Sequence, residues 1–68
     1  MATPGAALTP AQHKVLGLLA EGRTDLEIAQ ALGRSPSTVK THLAGIRNVF
    51  QVRNRVEVVL FAHRHGYV

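Results

Sequence analysis

Between Ile28 and Val56 the chain carries Arg34, Lys40, Arg47, Arg53 and Arg55 and no acid. Guanidinium and ammonium groups bind anions, and a span free of carboxylates presents them without local repulsion. Lys40 and Arg47 fall inside the stretch Ser35 to Phe50, SPSTVKTHLAGIRNVF. There Val39, Leu43, Ile46 and Phe50 recur at spacings of four, three and four, which places them on one stripe of an α-helix. The other side reads Ser37, Lys40, Thr41, Ala44, Arg47 and Asn48. In isolation such a face is also that of any solvated helix. A helix with one apolar stripe for a core and one small, acid-free face suits a DNA major groove.

The elements that must position this helix are marked by repeated start signals. Thr9-Pro10-Ala11-Gln12 has the pattern of a capping box, in which Thr9 accepts from a first-turn N–H and Gln12 reaches back. The helix it opens is expected over Pro10 to Glu21. Val15, Leu18 and Leu19 form its inward stripe, with Ala11 behind and Leu16 widening it, and Leu8 packs back on it. Gly22 is placed to end it in the left-handed conformation. Thr24-Asp25-Leu26-Glu27 repeats the box and opens a short helix carrying Ile28, Ala29 and Leu32 and ending at Gly33. Asp25 and Glu27 lie in its first turn, where the helix dipole favours acids, so both have a structural task. Gly33-Arg34-Ser35 then forms a turn of the length found in a helix-turn-helix. The third helix begins at Ser35-Pro36, a cap followed by a residue with no N–H to lose. It ends at Gln51 without glycine, so either Gln51 takes a less favourable geometry or the end is looser than usual. Asn54, with Glu57 three residues on, starts a fourth helix expected over Arg55 to His65 and closed by Gly66.

The fourth helix has two apolar stripes. Val56, Val59, Leu60 and His63 form one; Val58, Phe61, Ala62 and His65 form the other. So small a domain cannot cover both, so a partner is expected on one of them. The pattern leaves open which stripe faces out. Tyr67 and Val68 are expected to fold back on the core. Met1 to Ala7 read as a flexible lead-in.

Composition excludes much else. The chain is 68 residues long, one domain that buries only about 60% of its unfolded surface and holds no deep catalytic cavity. It has no cysteine, hence no disulfide, thiolate metal site or cysteine nucleophile. His13, His42, His63 and His65 lack the i, i+4 spacing of a helical zinc site. No phosphate-cradling glycine loop, carboxylate pair or nucleophile motif is present, so neither an enzyme, a metal site nor a cofactor is expected. No apolar run approaches the roughly 20 residues of a membrane span, and the first residues lack a signal-peptide pattern, so a cytoplasmic protein is expected, nucleoid-associated if its partner is DNA. The net charge of +4 points to a polyanionic partner.

From Leu8 to Val68 the chain resembles the LuxR-type (GerE- or FixJ-type) DNA-binding domain of bacterial transcription regulators. The resemblance rests on Leu8-Thr9-Pro10, Val15-Leu16, Leu19-Ala20-Glu21-Gly22, Glu27-Ile28-Ala29, Leu32-Gly33, Ser35, Thr38-Val39-Lys40-Thr41-His42, Ile46 and Val52-Arg53-Asn54-Arg55. It implies an all-α, four-helix helix-turn-helix domain whose third helix reads the major groove of double-stranded DNA and whose fourth helix pairs two copies. Carried over, Lys40 and Thr41 fall at base contacts. Thr38, Arg47 and Arg53-Asn54-Arg55 fall at phosphates, and Thr24 falls near the backbone. Ser37 and Ala44 complete the candidate DNA face, Ala44 offering only apolar contact, for example to a thymine methyl. Val56, Val59, Leu60, Phe61 and His63 are the candidate pairing residues, and RNA polymerase is a further candidate partner. This chain differs from the family pattern at Ala11, Gln12, Lys14, Asp25-Leu26, Arg34 and Gln51. The rival expectation is a small helical interaction module that pairs with another regulator through the fourth helix and needs no DNA face.

Overall fold

The computed structural model describes residues 8–68; the lead-in expected over residues 1–7 lies outside them. Four helices follow in order: α1 Pro10–Ala20, α2 Asp25–Leu32, α3 Pro36–Phe50 and α4 Arg55–Arg64, with no strand among the described residues. Each starts as its cap dictates. Thr9 and Thr24 form complete capping boxes with Gln12 and Glu27, and the side chains of Ser35 and Asn54 accept from the N–H groups of Thr38 and Glu57. Glu57 does not close a box on the cap residue: its carboxylate reaches one residue past Asn54 and accepts from the Arg53 N–H at 2.6 Å.

All four helices end by one device. A residue with positive φ follows each, namely Gly22, Gly33, Gln51 and Gly66. The next N–H then donates back five residues: Arg23 to the Leu18 carbonyl, Arg34 to Ala29, Val52 to Arg47 and Tyr67 to Ala62. This pattern satisfies carbonyls that the helix leaves free. Gln51, at φ 58°, is the one non-glycine residue in that conformation among the described residues.

α3 packs on the other three helices, most extensively on α1 and α2, while α2 and α4 do not pack on each other. Val39, Leu43, Ile46 and Phe50 are all buried, joined in the core by Leu8, Val15, Leu16, Leu19, Ile28, Ala29, Val58 and Ala62. Gly45 lets α1 approach closely, because a Cβ there would collide with the Gln12 amide that completes the first capping box.

Three expectations need correction. The α1 stripe is Val15, Leu16 and Leu19, all buried, and Leu18 is only half-buried; with 3.6 residues per turn, Leu19 lies between Val15 and Leu16, and Leu18 falls on the far side of Val15. In α4, whose direction the pattern left open, the stripe that contains Val58 and Ala62 faces the core; the candidate pairing residue Phe61 turns inward with it, stacked on Phe50 at 4.2 Å between ring centres, although His65 at its end is exposed. The outward stripe is therefore Val56, Leu60 and His63, with Val59 half-buried at its edge. Tyr67 packs back, its ring 4.9 Å from that of Phe50, but Val68 is exposed.

A left-handed side-chain-bearing residue costs about 1–2 kcal/mol, partly offset by the extra freedom glycine gives the unfolded chain. Gln51→Gly is expected to stabilise the domain by about 0.5–1 kcal/mol, read as a higher thermal midpoint. A lower midpoint would mean that the Gln51 side chain holds the end of α3 in place.

Candidate nucleic-acid interface

Burial of its stripe against α1, α2 and α4 leaves one side of α3 facing out. Ser37, Lys40, Thr41, Ala44 and Asn48 are exposed there, and Thr38, His42 and Arg47 are half-buried at its borders. The electrostatics of this side follow from where the acids go. Asp25 pairs with Arg55, and Glu21 lies 3.5 Å from Arg23. Glu27 accepts from the Thr24 N–H and Glu57 from the Arg53 N–H. All four carboxylates of the chain are thus turned onto neighbouring groups. Of the eight Lys and Arg side chains, the six other than Arg23 and Arg55 have no carboxylate partner among the described residues.

The structure brings Lys40, Arg47, Arg53, Asn54 and Arg55 together with Asp25 around a cleft of about 390 Å³ where α3, the α3–α4 turn and the start of α2 meet. Lys40, Arg47 and the Arg53-Asn54-Arg55 turn, apart in sequence, therefore make one basic flank beside α3. Asp25 was legible only as a first-turn acid, because its partner Arg55 lies 30 positions away and no local pattern links them. The Arg55 guanidinium is consequently engaged within the domain rather than free, unlike Lys40, Arg47 and Arg53. Thr24 does not join this cleft. It lines a second one, of about 430 Å³, with Leu19, Val56, Val59 and Leu60 beside the outward stripe of α4.

The capping residues keep donors for an outside partner. Thr24 accepts from the Glu27 N–H through its hydroxyl oxygen, which leaves its O–H proton unassigned to the helix. Asn54 accepts through Oδ1 from the Glu57 N–H, so the side-chain NH₂ is not needed by the cap. Thr41 behaves oppositely. Its hydroxyl donates to the Ser37 carbonyl at 3.1 Å, so outward it presents a methyl group and lone pairs. Ser35 Oγ lies 3.1 Å from both Ser37 Oγ and Thr38 Oγ1, a hydroxyl cluster at the start of α3. Among the described residues no group of three His, Cys, Asp or Glu side chains could hold a metal ion, and no helix is long and apolar enough to cross a membrane.

Comparison with known proteins accords with this geometry. Residues 6–62 match the family model described as bacterial regulatory proteins, luxR family. The chain is 37% identical over 67 residues to the transcriptional regulatory protein LiaR of Bacillus subtilis, a match covering 98% of this chain and 32% of that protein. It is 33% identical over 61 residues to the transcriptional regulatory protein MctR of Rhizobium johnstonii, covering 90% of this chain and 28% of that one. The response regulator protein VraR of Staphylococcus aureus is 34% identical over 61 residues, with 90% of this chain and 29% of VraR covered. The chain thus spans about a third of the length of these relatives.

Asp25 is the one acid in the basic cleft. Asp25→Asn is expected to raise retention on heparin, with elution at higher salt, because Arg55 is released and a local negative charge removed. The pair is only partly exposed, with Asp25 half-buried, but Arg55 keeps contact with solvent, so the loss of stability should stay near 1 kcal/mol, at about the upper end for a surface pair. Weaker retention would show instead that Asp25 is needed to hold Arg55 in position.

Proposed function

The chain belongs to the luxR family of bacterial regulatory proteins, and from that membership we propose that this domain regulates transcription by binding double-stranded DNA with α3 in the major groove. One observation carries the reading: the outward side of α3 is free of acid and bordered by cations that have no carboxylate partner among the described residues. A helix with its side chains is about 10–12 Å across, and the groove is about 12 Å wide.

Roles follow from chemistry. Lys40 is exposed and reaches outward from the first half of α3, where an ammonium donates to guanine O6 and N7. Thr41, with its proton held by the Ser37 carbonyl, offers lone pairs to a base amino group or its methyl to thymine. Ala44 offers a methyl, and Ser37 a hydroxyl. Arg47, Arg53, Arg55, Asn54, Thr38 and Thr24 supply donors to phosphate, which fix register without reading sequence. The domain acts by occupancy and contributes no catalytic group. DNA would hold it at the nucleoid, with RNA polymerase the partner at a regulated promoter. The rival reading, a pairing module without a DNA face, is not favoured, since the cationic face of α3 is intact.

We also propose that two copies pair through the outward stripe of α4. Val56 is 65% exposed and Leu60 55% exposed, an apolar pair that the domain itself leaves uncovered. The contact is small, so pairing should be weak in solution and effective when DNA supplies proximity.

Three measurements follow. Affinity for a preferred duplex should fall with salt at a slope steeper than roughly −4 in log K against log salt, as about five phosphate contacts require. Lys40→Ala should cost about 1–3 kcal/mol on the preferred site and little on random DNA, while Arg53→Ala should weaken both alike. Equal losses for the two variants on every sequence would reduce Lys40 to a phosphate contact. For pairing, Leu60→Glu should keep its circular dichroism spectrum and lose cooperative binding to an inverted repeat while still binding a half-site. Undiminished cooperativity would remove α4 as the pairing surface.

A further inference from the structure

The basic flank formed by Lys40, Arg47, Arg53 and Arg55 lies on one side of α3 only. On the other side, where α3 meets α1, a cleft of about 450 Å³ is lined by Ala11, Lys14, Leu32, Arg34, Thr38 and His42. Lys14 projects from the first half of α1 and Arg34 from the turn between α2 and α3, so neither belongs to the helix they border. Both are exposed, and neither has a carboxylate partner among the described residues. Helical geometry accounts for the opposition. At 100° per residue, Lys40 and Arg47 lie to one side of the line through Thr41 and Asn48, and Thr38 and His42 lie to the other.

We propose that Lys14 and Arg34, with Thr38 and His42 between them, form a second phosphate-binding flank that grips the DNA strand opposite the one held by Arg47 and Arg53. This rests on the reading that α3 enters the major groove. A helix seated there has a phosphate backbone on each side, about one helix diameter apart. Cations on both borders of a neutral central face match that pair of walls. The cleft also lies at the N-terminal end of α3, a helix of 15 residues whose dipole favours an anion there. Ser35 and Thr38 hydroxyls add neutral donors at the same place. No acid lines this cleft as Asp25 lines the other, so its two cations are unrestrained where Arg55 is not.

Lys14→Ala and Arg34→Ala test this in the full chain, with Lys14→Arg and Arg34→Lys as charge-preserving controls. Each alanine variant should bind preferred and random duplexes more weakly, by a similar factor on both. The double variant should flatten the salt slope by about 2, close to one for each phosphate no longer neutralised. Duplexes carrying neutral methylphosphonates at single positions identify the strand. Neutral phosphates that weaken the unmodified chain but no longer matter to Arg34→Ala should lie on one strand, and those that no longer matter to Arg53→Ala on the other. If Arg53→Ala weakens binding while Lys14→Ala and Arg34→Ala leave affinity and slope unchanged, the second flank is wrong and the DNA reading stands. The same holds if both sets of phosphates fall on one strand. If the unmodified chain binds no duplex at low salt, both fail.

Discussion

Four side chains decide what α3 can offer to its surroundings. Val39, Leu43, Ile46 and Phe50 are buried against the three other helices, and each contributes about 1.5–3 kcal/mol by leaving water. A domain of this size is stable by a comparable total, about 5–15 kcal/mol at most. Rolling α3 about its axis would expose part of the stripe and push Lys40 or Arg47 toward the core, where an unpaired charge costs several kcal/mol. The rotation of the helix is therefore fixed by apolar burial. The identity of the outward residues follows as a consequence, with no need for a partner to arrange them.

Charge is then sorted around that fixed face by short-range bonds. Glu27 and Glu57 are turned toward backbone N–H groups at helix starts, and both occupy first turns, where an acid is favourable. Asp25 is tied to Arg55. Carboxylates held this way stabilise the ends of α2 and α4 and at the same time stay off the outward side of α3. The cations there keep their field, which acts over about 8–10 Å at ordinary ionic strength. Stability and polyanion binding make compatible demands on the acids, with Asp25 the one point where they compete. Its pairing with Arg55 spans α2 and α4, which otherwise do not pack together.

The sequence made α3 legible because one stripe is apolar and the rest is not, and its cap and length both agree with the spacing. The four starts were legible for a similar reason: Thr9, Thr24, Ser35 and Asn54 each stand where an acceptor is needed. α4 was ambiguous because both of its stripes are apolar, so periodicity carried no direction. Packing chose through the aromatic side: Phe61 stacks on Phe50, and Tyr67 closes over them. The shift from Leu18 to Leu16 in α1 has the same origin, since neighbouring leucines look alike to a pattern. Contacts between residues far apart in sequence were not legible at all. Asp25 with Arg55, and Lys14 with Arg34 and His42, meet only once α1 and α4 have docked on α3. The donor direction of Thr41 was equally hidden, because it depends on the carbonyl one turn earlier.

The most direct measurement is an amide chemical-shift titration of the isotopically labelled chain with a short duplex at low salt. The largest changes should fall on Ser37 to Asn48 and on Arg53 to Arg55, in a contiguous surface that leaves the buried stripe of α3 unmoved beyond small effects. Changes concentrated on Val56, Leu60 and His63, with α3 silent, would contradict a DNA face on α3 and place the partner on α4 instead.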